Sequence, residues 1–150
     1  MKKVNFFSQR VAEDIRVPVN MVSIGERGDD PAFRVDHLRL CRLEFDDIEG
    51  WVGHEYRNFD YSLAVKFFKF IEECGDEDIV VHCHAGISRS AAIARFLQNE
   101  MGYTVVFTPL TNKDLLSYNR EVYDVLRFAH MDRLMANENQ EEQSEGVEPT

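Results

Sequence analysis

Val80-Val-His-Cys-His-Ala-Gly-Ile-Ser-Arg-Ser90 is the stretch on which the fold turns. It overlaps Asp78-Ile-Val-Val-His82, a short apolar run that reads as a buried, parallel strand. It leads into Ser88 to Met101, which reads as a helix stopped at Gly102. Ala91, Ala92 and Ala94 near the start of that helix allow close packing. A strand running through a short loop into a helix is the repeating unit of α/β sheets, whose ligands gather at the carboxyl ends of the strands. A helix start placed there offers free backbone N–H groups and a partial positive charge, which together cradle an anion.

Working outward, Val19 to Ile24 reads as another strand, closed by the turn-rich segment Gly25 to Pro31. His37 to Phe45 alternates, but its apolar set switches sides near Cys41, which predicts a strand whose buried face changes or one covered on both faces. Phe59 to Cys74 reads as a helix: Phe59, Leu63, Phe67, Phe70, Ile71 and Cys74 share one face, Asp60 or Asn58 can cap it, and Gly75 can end it. Lys3 to Phe7 reads as an edge strand, and Thr104 to Phe107 as a strand or an extended connection. Thr111 to about Leu134 reads as helical, in one piece or two, with Thr111 and Asp114 as a capping pair. Strands interleaved with helices predict a three-layer α/β fold with a central, mostly parallel sheet of about four to five strands. One domain is expected over residues 1–136. Residues 137–150 hold five Glu and a single strongly apolar residue, Val147, so they are expected to form an acidic, disordered tail.

The formal net charge of −10 argues against an extended nucleic-acid or anionic-membrane surface, since both are polyanions. An anion site here has to be a local positive pocket. Three widely spaced cysteines, Cys41, Cys74 and Cys83, argue against a disulfide framework or a zinc cluster and suit a reducing compartment. The first residues, MKKVNFFSQRVAEDI, do not read as a secretory signal, and no run approaches the roughly 18 apolar residues of a membrane span. A cytoplasmic protein without membrane or nucleic-acid partners is the expectation.

The residue types in the central stretch fit one chemistry. Cys83 lies where the strand ends, so the helix dipole and the surrounding N–H groups favour its thiolate. Arg89, six residues on, can fold back over the loop and hold two oxygens of a phosphate with its planar fork. Gly86 permits close approach of the backbone to a ligand and a positive φ. Ser88 and Ser90 supply hydroxyls, and Ser90 is placed to donate toward the sulfur. Cys41 and Cys74 read as inert, buried thiols. His82 reads as a supporting residue for the loop, and His84 as a side chain turned outward. Trp51, His54, Tyr56 and Arg57 read equally as a wall of the substrate cleft or as a cover on the core.

His82-Cys83-x5-Arg89-Ser90, with Gly86 inside it, resembles the phosphate-binding loop of the protein tyrosine phosphatase superfamily. The chain's size and short insertions are similar to the dual-specificity branch. The resemblance implies the cysteine-based phosphatase fold, a phosphate-binding loop formed by His84, Ala85, Gly86, Ile87, Ser88 and Arg89, and a catalytic set of Cys83, Arg89, Ser90 and an upstream Asp. Leu43-Glu-Phe-Asp-Asp47 has the character of that acid loop. Asp47 is the expected general acid, with Asp46 as the alternative. Asn119 and Arg120 match the start of the family's last helix only weakly, and no role is carried over to them. The implied activity is hydrolysis of phosphotyrosine, and of phosphoserine or phosphothreonine as well, in proteins or peptides through a cysteinyl-phosphate. Neither a metal nor a cofactor is expected. The absence of Lys from the loop disfavours phosphoinositides. Two rival functions are a phosphate-binding module of low turnover, a pseudophosphatase, and an arsenate reductase-like activity relayed through further cysteines.

Overall fold

The computed structural model describes the backbone of residues 1–111 and 115–145, with side chains up to residue 139. Its elements, in chain order, are β1 (Lys3–Ser8), α1 (Gln9–Glu13), β2 (Asn20–Gly25), β3 (Arg39–Glu44), α2 (Tyr61–Cys74), β4 (Ile79–Cys83), α3 (Arg89–Met101), β5 (Thr104–Val105) and α4 (Arg120–Glu145), with a 3₁₀ turn at Leu115–Ser117 before α4. The five strands form one parallel sheet in the order β3-β2-β4-β1-β5, flanked by the four helices, which is a three-layer α/β fold. No helix among the described residues is long and apolar enough to cross a membrane.

β4 is the central strand, and its two faces differ. Val81 and Cys83 belong to the main core, which β4 shares with α2, α3 and α4. Val80 belongs to a smaller cluster on the opposite face with Ala12 and Met21, edged by Phe7, Ile15 and Phe33. The two-residue period of a strand therefore sends His82 and Cys83 to opposite faces. Parallel pairing aligns the end of β4 with the end of β1, where Cys83 is opposite Ser8, and with β2, where His82 is opposite Ser23.

Three expectations need correcting. Lys3–Ser8 is not an edge strand: β1 lies between β4 and β5, because the chain returns to its outer side at Thr104–Val105. The edge beside β1 is β5, and the opposite edge is β3, which buries Cys41 and Leu43 cleanly and leaves Leu40 exposed. There is thus no switch of buried face; an edge strand's outer side is simply uncovered. Finally, α4 runs to Glu145, through the start of the stretch expected to be disordered. Ala136 to Glu145 lacks Gly and Pro and is rich in Glu and Gln, so helix propensity continues it although residues 137–139 are exposed. Asp114 of the expected capping pair and residues 146–150 of the expected tail lie outside the described residues.

α2 begins at Asp60, whose side chain accepts from Leu63 N–H at 3.0 Å, and ends at Gly75. Leu63, Phe67, Phe68, Phe70 and Ile71 are buried on its inner side. Phe68 and Phe96 meet edge to face and join α2 to α3 beneath the site.

Candidate active site

Cys83 ends β4, and two polar groups meet at its sulfur. Gly86 N–H points at Sγ from 3.2 Å, and Ser90 Oγ lies 3.1 Å from it. The thiol is 2% exposed, so access to it is narrow. α3 begins six residues later. Its first intrahelical bond runs from Ala92 N–H to Ser88 O, so the amides ahead of Ala92 are not consumed by the helix. Ser88 stands at the N-cap without capping the helix through its side chain. Its hydroxyl turns away and donates to Asp47 Oδ1 at 2.9 Å.

Gly86 has φ +71, and a Cβ there would stand inside contact distance of Ser8 N and 2.6 Å from Phe7 C. The positive φ expected from the sequence is present, and the end of β1 adds a requirement for the missing side chain. Gln9 N–H donates to His84 O at 3.1 Å and ties the loop to the β1–α1 junction from the same side. His84, Ala85 and Ile87 are exposed along the rim.

Arg89 folds inward and is 3% exposed. One Nη donates to Phe45 O at 2.8 Å, and the other lies 3.3 Å from Glu26 Oε1. Its Nε is buried with no hydrogen-bond partner among the described residues. The guanidinium is thus braced from the ends of β2 and β3 and retains a donor.

The two aspartates part company. Asp46 closes its own loop: its N–H donates to Arg57 O at 2.8 Å, and its Oδ2 accepts from Arg57 N–H at 2.7 Å. Asp47 faces the Cys83 loop, with Oδ1 accepting from Ser88 Oγ and from Asn119 Nδ2, each at 2.9 Å. Asn119 also donates its N–H to Ser88 O at 3.0 Å, and its Oδ1 accepts from Val122 N–H at 3.0 Å to cap α4. One residue, through its side chain and its backbone N–H, therefore links the Asp47 loop, the Cys83 loop and the last helix.

His82 supports the loop from below. A carbonyl only accepts, so the contact of Nδ1 with Cys83 O at 3.3 Å places the imidazole proton on Nδ1. Nε2 is then an acceptor for Ser23 Oγ at 2.7 Å, and Ser23 in turn accepts from Arg42 Nη1 at 2.9 Å. Arg42 also donates to Asp29 O and so anchors the loop that carries Glu26. Burial pushes the His82 pKa down to about 4, which keeps the ring neutral at physiological pH.

Of the residues expected from sequence, Cys83, Gly86 and Ser90 meet at the sulfur, and Ser88, beside Arg89 in the chain, joins Asp47 to the same loop. His54, Tyr56 and Arg57 line a cleft of about 370 Å³ next to Phe45 and Asp46, while Trp51 is exposed and stacks edge-on against His54. Glu26, Ser23 and Arg42 were not legible as site residues, because a turn-rich segment and a strand interior give no chemical signal of their own. Asn119 had a signal, the N-cap preference at a helix start, but its partners lie 31 and 72 residues away. Cys41 and Cys74 are free and buried, and burial pushes both thiols up to about 11. No cluster of three His, Cys, Asp or Glu that could hold a metal ion occurs among the described residues.

The fold and the site define a three-layer α/β protein with a thiol at the mouth of a helix, backed by a buried guanidinium. Comparison of the chain with protein-family models and with curated proteins finds no match.

Proposed function

We propose that this chain is a cysteine-dependent phosphatase that hydrolyses phosphotyrosine, and also phosphoserine or phosphothreonine, in proteins or peptides. The observation that carries the reading is the approach of Gly86 N–H and the Ser90 hydroxyl to Cys83 Sγ, with Asp47 bonded to the same loop through Ser88. In the proposed thiolate form both groups are donors to the sulfur. The resemblance of His82-Cys83-x5-Arg89-Ser90 to the tyrosine phosphatase loop supports the same chemistry.

In the proposed reaction the phosphate dianion lies against the amides at the start of α3, with Arg89 Nε as a further donor. Cys83 thiolate attacks phosphorus, the S–P bond forms, and the bond to the leaving oxygen breaks. Asp47 delivers a proton to that oxygen. Both of its bonded donors use Oδ1, so the proton is carried on Oδ2. Water then attacks the cysteinyl-phosphate and gives its proton to the Asp47 carboxylate. The S–P bond breaks, and Ser90 stabilises the departing thiolate.

The test compares wild type, Cys83→Ser, Asp47→Ala and Asp46→Ala on phosphopeptides, phosphoinositides and nucleotide 5′-phosphates. Cys83→Ser is expected to fall to background on phosphopeptides. Asp47→Ala is expected to lose roughly 10²- to 10⁴-fold in kcat, the ordinary contribution of a general acid. Asp46→Ala is expected to lose less. Wild-type turnover by Cys83→Ser overturns the scheme, and a larger loss at Asp46 transfers the acid role to it.

A further inference from the structure

The segment that follows β3 is a loop closed at its neck. The paired bonds between Asp46 and Arg57 bring its ends together, as in the compact Ω-type loops that carry function at surfaces. Its interior is then fastened to the first turn of α4. Asn119 Nδ2 donates to Ile48 O at 3.1 Å, and Arg120 N–H donates to Glu49 Oε1 at 2.7 Å. Glu121 holds two further points with one carboxylate. Its Oε1 accepts from Gly50 N–H at 3.1 Å, and its Oε2 accepts from Asn58 Nδ2 at 2.8 Å. Asn58 Nδ2 also donates to Gly50 O at 2.7 Å, so Gly50, Asn58 and Glu121 form a closed triangle.

A carboxylate in the first turn of a helix is ordinarily explained by the helix dipole, and then needs no particular partner. Here both oxygens are engaged, and by groups 71 and 63 residues away in the chain. Asp47 lies at the neck of this loop, with its Oδ1 on the Ser88 hydroxyl.

We propose that Glu121 is a positioning residue: by stapling Gly50 and Asn58 to α4 it keeps the acid loop docked, so that Asp47 is held against the Cys83 loop. The inference rests on the phosphatase reading and extends it to the way the acid is held. A docked acid matters most when the leaving group is poor, because a phenol or alcohol of high pKa cannot leave as its anion. It matters little to that first step for a leaving group stable without a proton.

The test uses the full chain and two aryl phosphates, phenyl phosphate and 2,4-dinitrophenyl phosphate. For Glu121→Ala the expected loss in kcat/KM, which reports the steps up to formation of the cysteinyl-phosphate, is about 10- to 100-fold on the phenyl ester, part of the full general-acid contribution, with the dinitrophenyl ester within about threefold. Asn58→Ala is expected to shift the rates in the same direction, and the double variant to be no slower than the slower single one, since the two residues share one link. Amide hydrogen exchange over residues 46–58 is expected to speed up in each variant. Equal losses on the two esters, or unchanged rates on both, overturns the role of Glu121. A wild-type protein inert on both esters overturns the phosphatase reading, and this inference with it.

Discussion

At Cys83 the chemistry depends on atoms that approach from three directions: the amide of Gly86, the hydroxyl of Ser90 and, beneath the carbonyl, the ring of His82. Each contact can be tested by stability as well as by turnover. Gly86→Ala puts a Cβ into the backbone of Phe7 and Ser8 at a positive φ. The left-handed conformation alone costs about 1–2 kcal/mol, and the collision adds to it. Urea unfolding is expected to show a loss above about 2 kcal/mol; an unchanged midpoint would mean that the loop does not press on β1. His82 gives a pH signature. Its pKa falls from the ordinary 6.5 to about 4 in the folded chain, so between those values the unfolded chain binds more protons. Stability is then complete above about pH 6.5 and declines as the pH drops toward 4, by about 3 kcal/mol in all. Urea titrations at pH 4.5 and 7 check this, and His82→Gln is expected to flatten the difference. An equally steep fall in His82→Gln would assign the pH dependence to other groups.

At the scale of elements, the first turn of α4 is the organiser. Asn119 uses its Oδ1 for the cap and its Nδ2 for Asp47 and Ile48. Asn119→Asp keeps an acceptor for Val122 N–H and so preserves the cap, but sets a second carboxylate against Asp47. Turnover of phosphotyrosine peptide is expected to fall about 10-fold or more while the thermal midpoint moves by only a few degrees. Loss of the fold with no selective loss of rate would make Asn119 a cap alone. α3 illustrates the complementary case. Its N-cap side chain, Ser88, is spent on Asp47 and not on the helix, so capping stability is given up at the one helix start that faces the thiol. Arg42 plays a similar connecting part between strands, joining Ser23 on β2 to the Asp29 loop and, through Ser23, to His82 on β4.

Across the whole molecule, the parallel order β3-β2-β4-β1-β5 brings the ends of four strands to one edge, where Cys83 ends β4 and Glu26, Phe45 and Gln9 follow β2, β3 and β1. The helical continuation of α4 past Ala136 belongs to none of this. Residues 137–139 are exposed, and the buried residues of α4 end at Ala129. Truncation after Ala136 is expected to leave the thermal midpoint within about 2 °C and turnover unchanged. A drop of several degrees would show that the C-terminal turns of α4 pack on the body.

The sequence by itself determined the chemistry-bearing stretch and the alternation of strand and helix around it. Those signals are local: a five-residue apolar run, a glycine stop, and a thiol and a guanidinium held at a fixed offset by one loop. It also separated the face of α2 that is buried, from the spacing of Leu63, Phe67, Phe70 and Ile71. The tertiary structure alone decided which strand is the edge, since edge or interior depends on where a later two-residue strand returns. It alone separated the surroundings of Asp47 and Asp46, two neighbours of identical chemistry: one meets Ser88 and an Asn 72 residues away, the other the backbone of Arg57. The same holds for Glu26, Ser23, Arg42 and Glu121: a hydrogen bond acts over about 3 Å of space, and nothing in linear order records which distant segments a parallel sheet will bring within that reach.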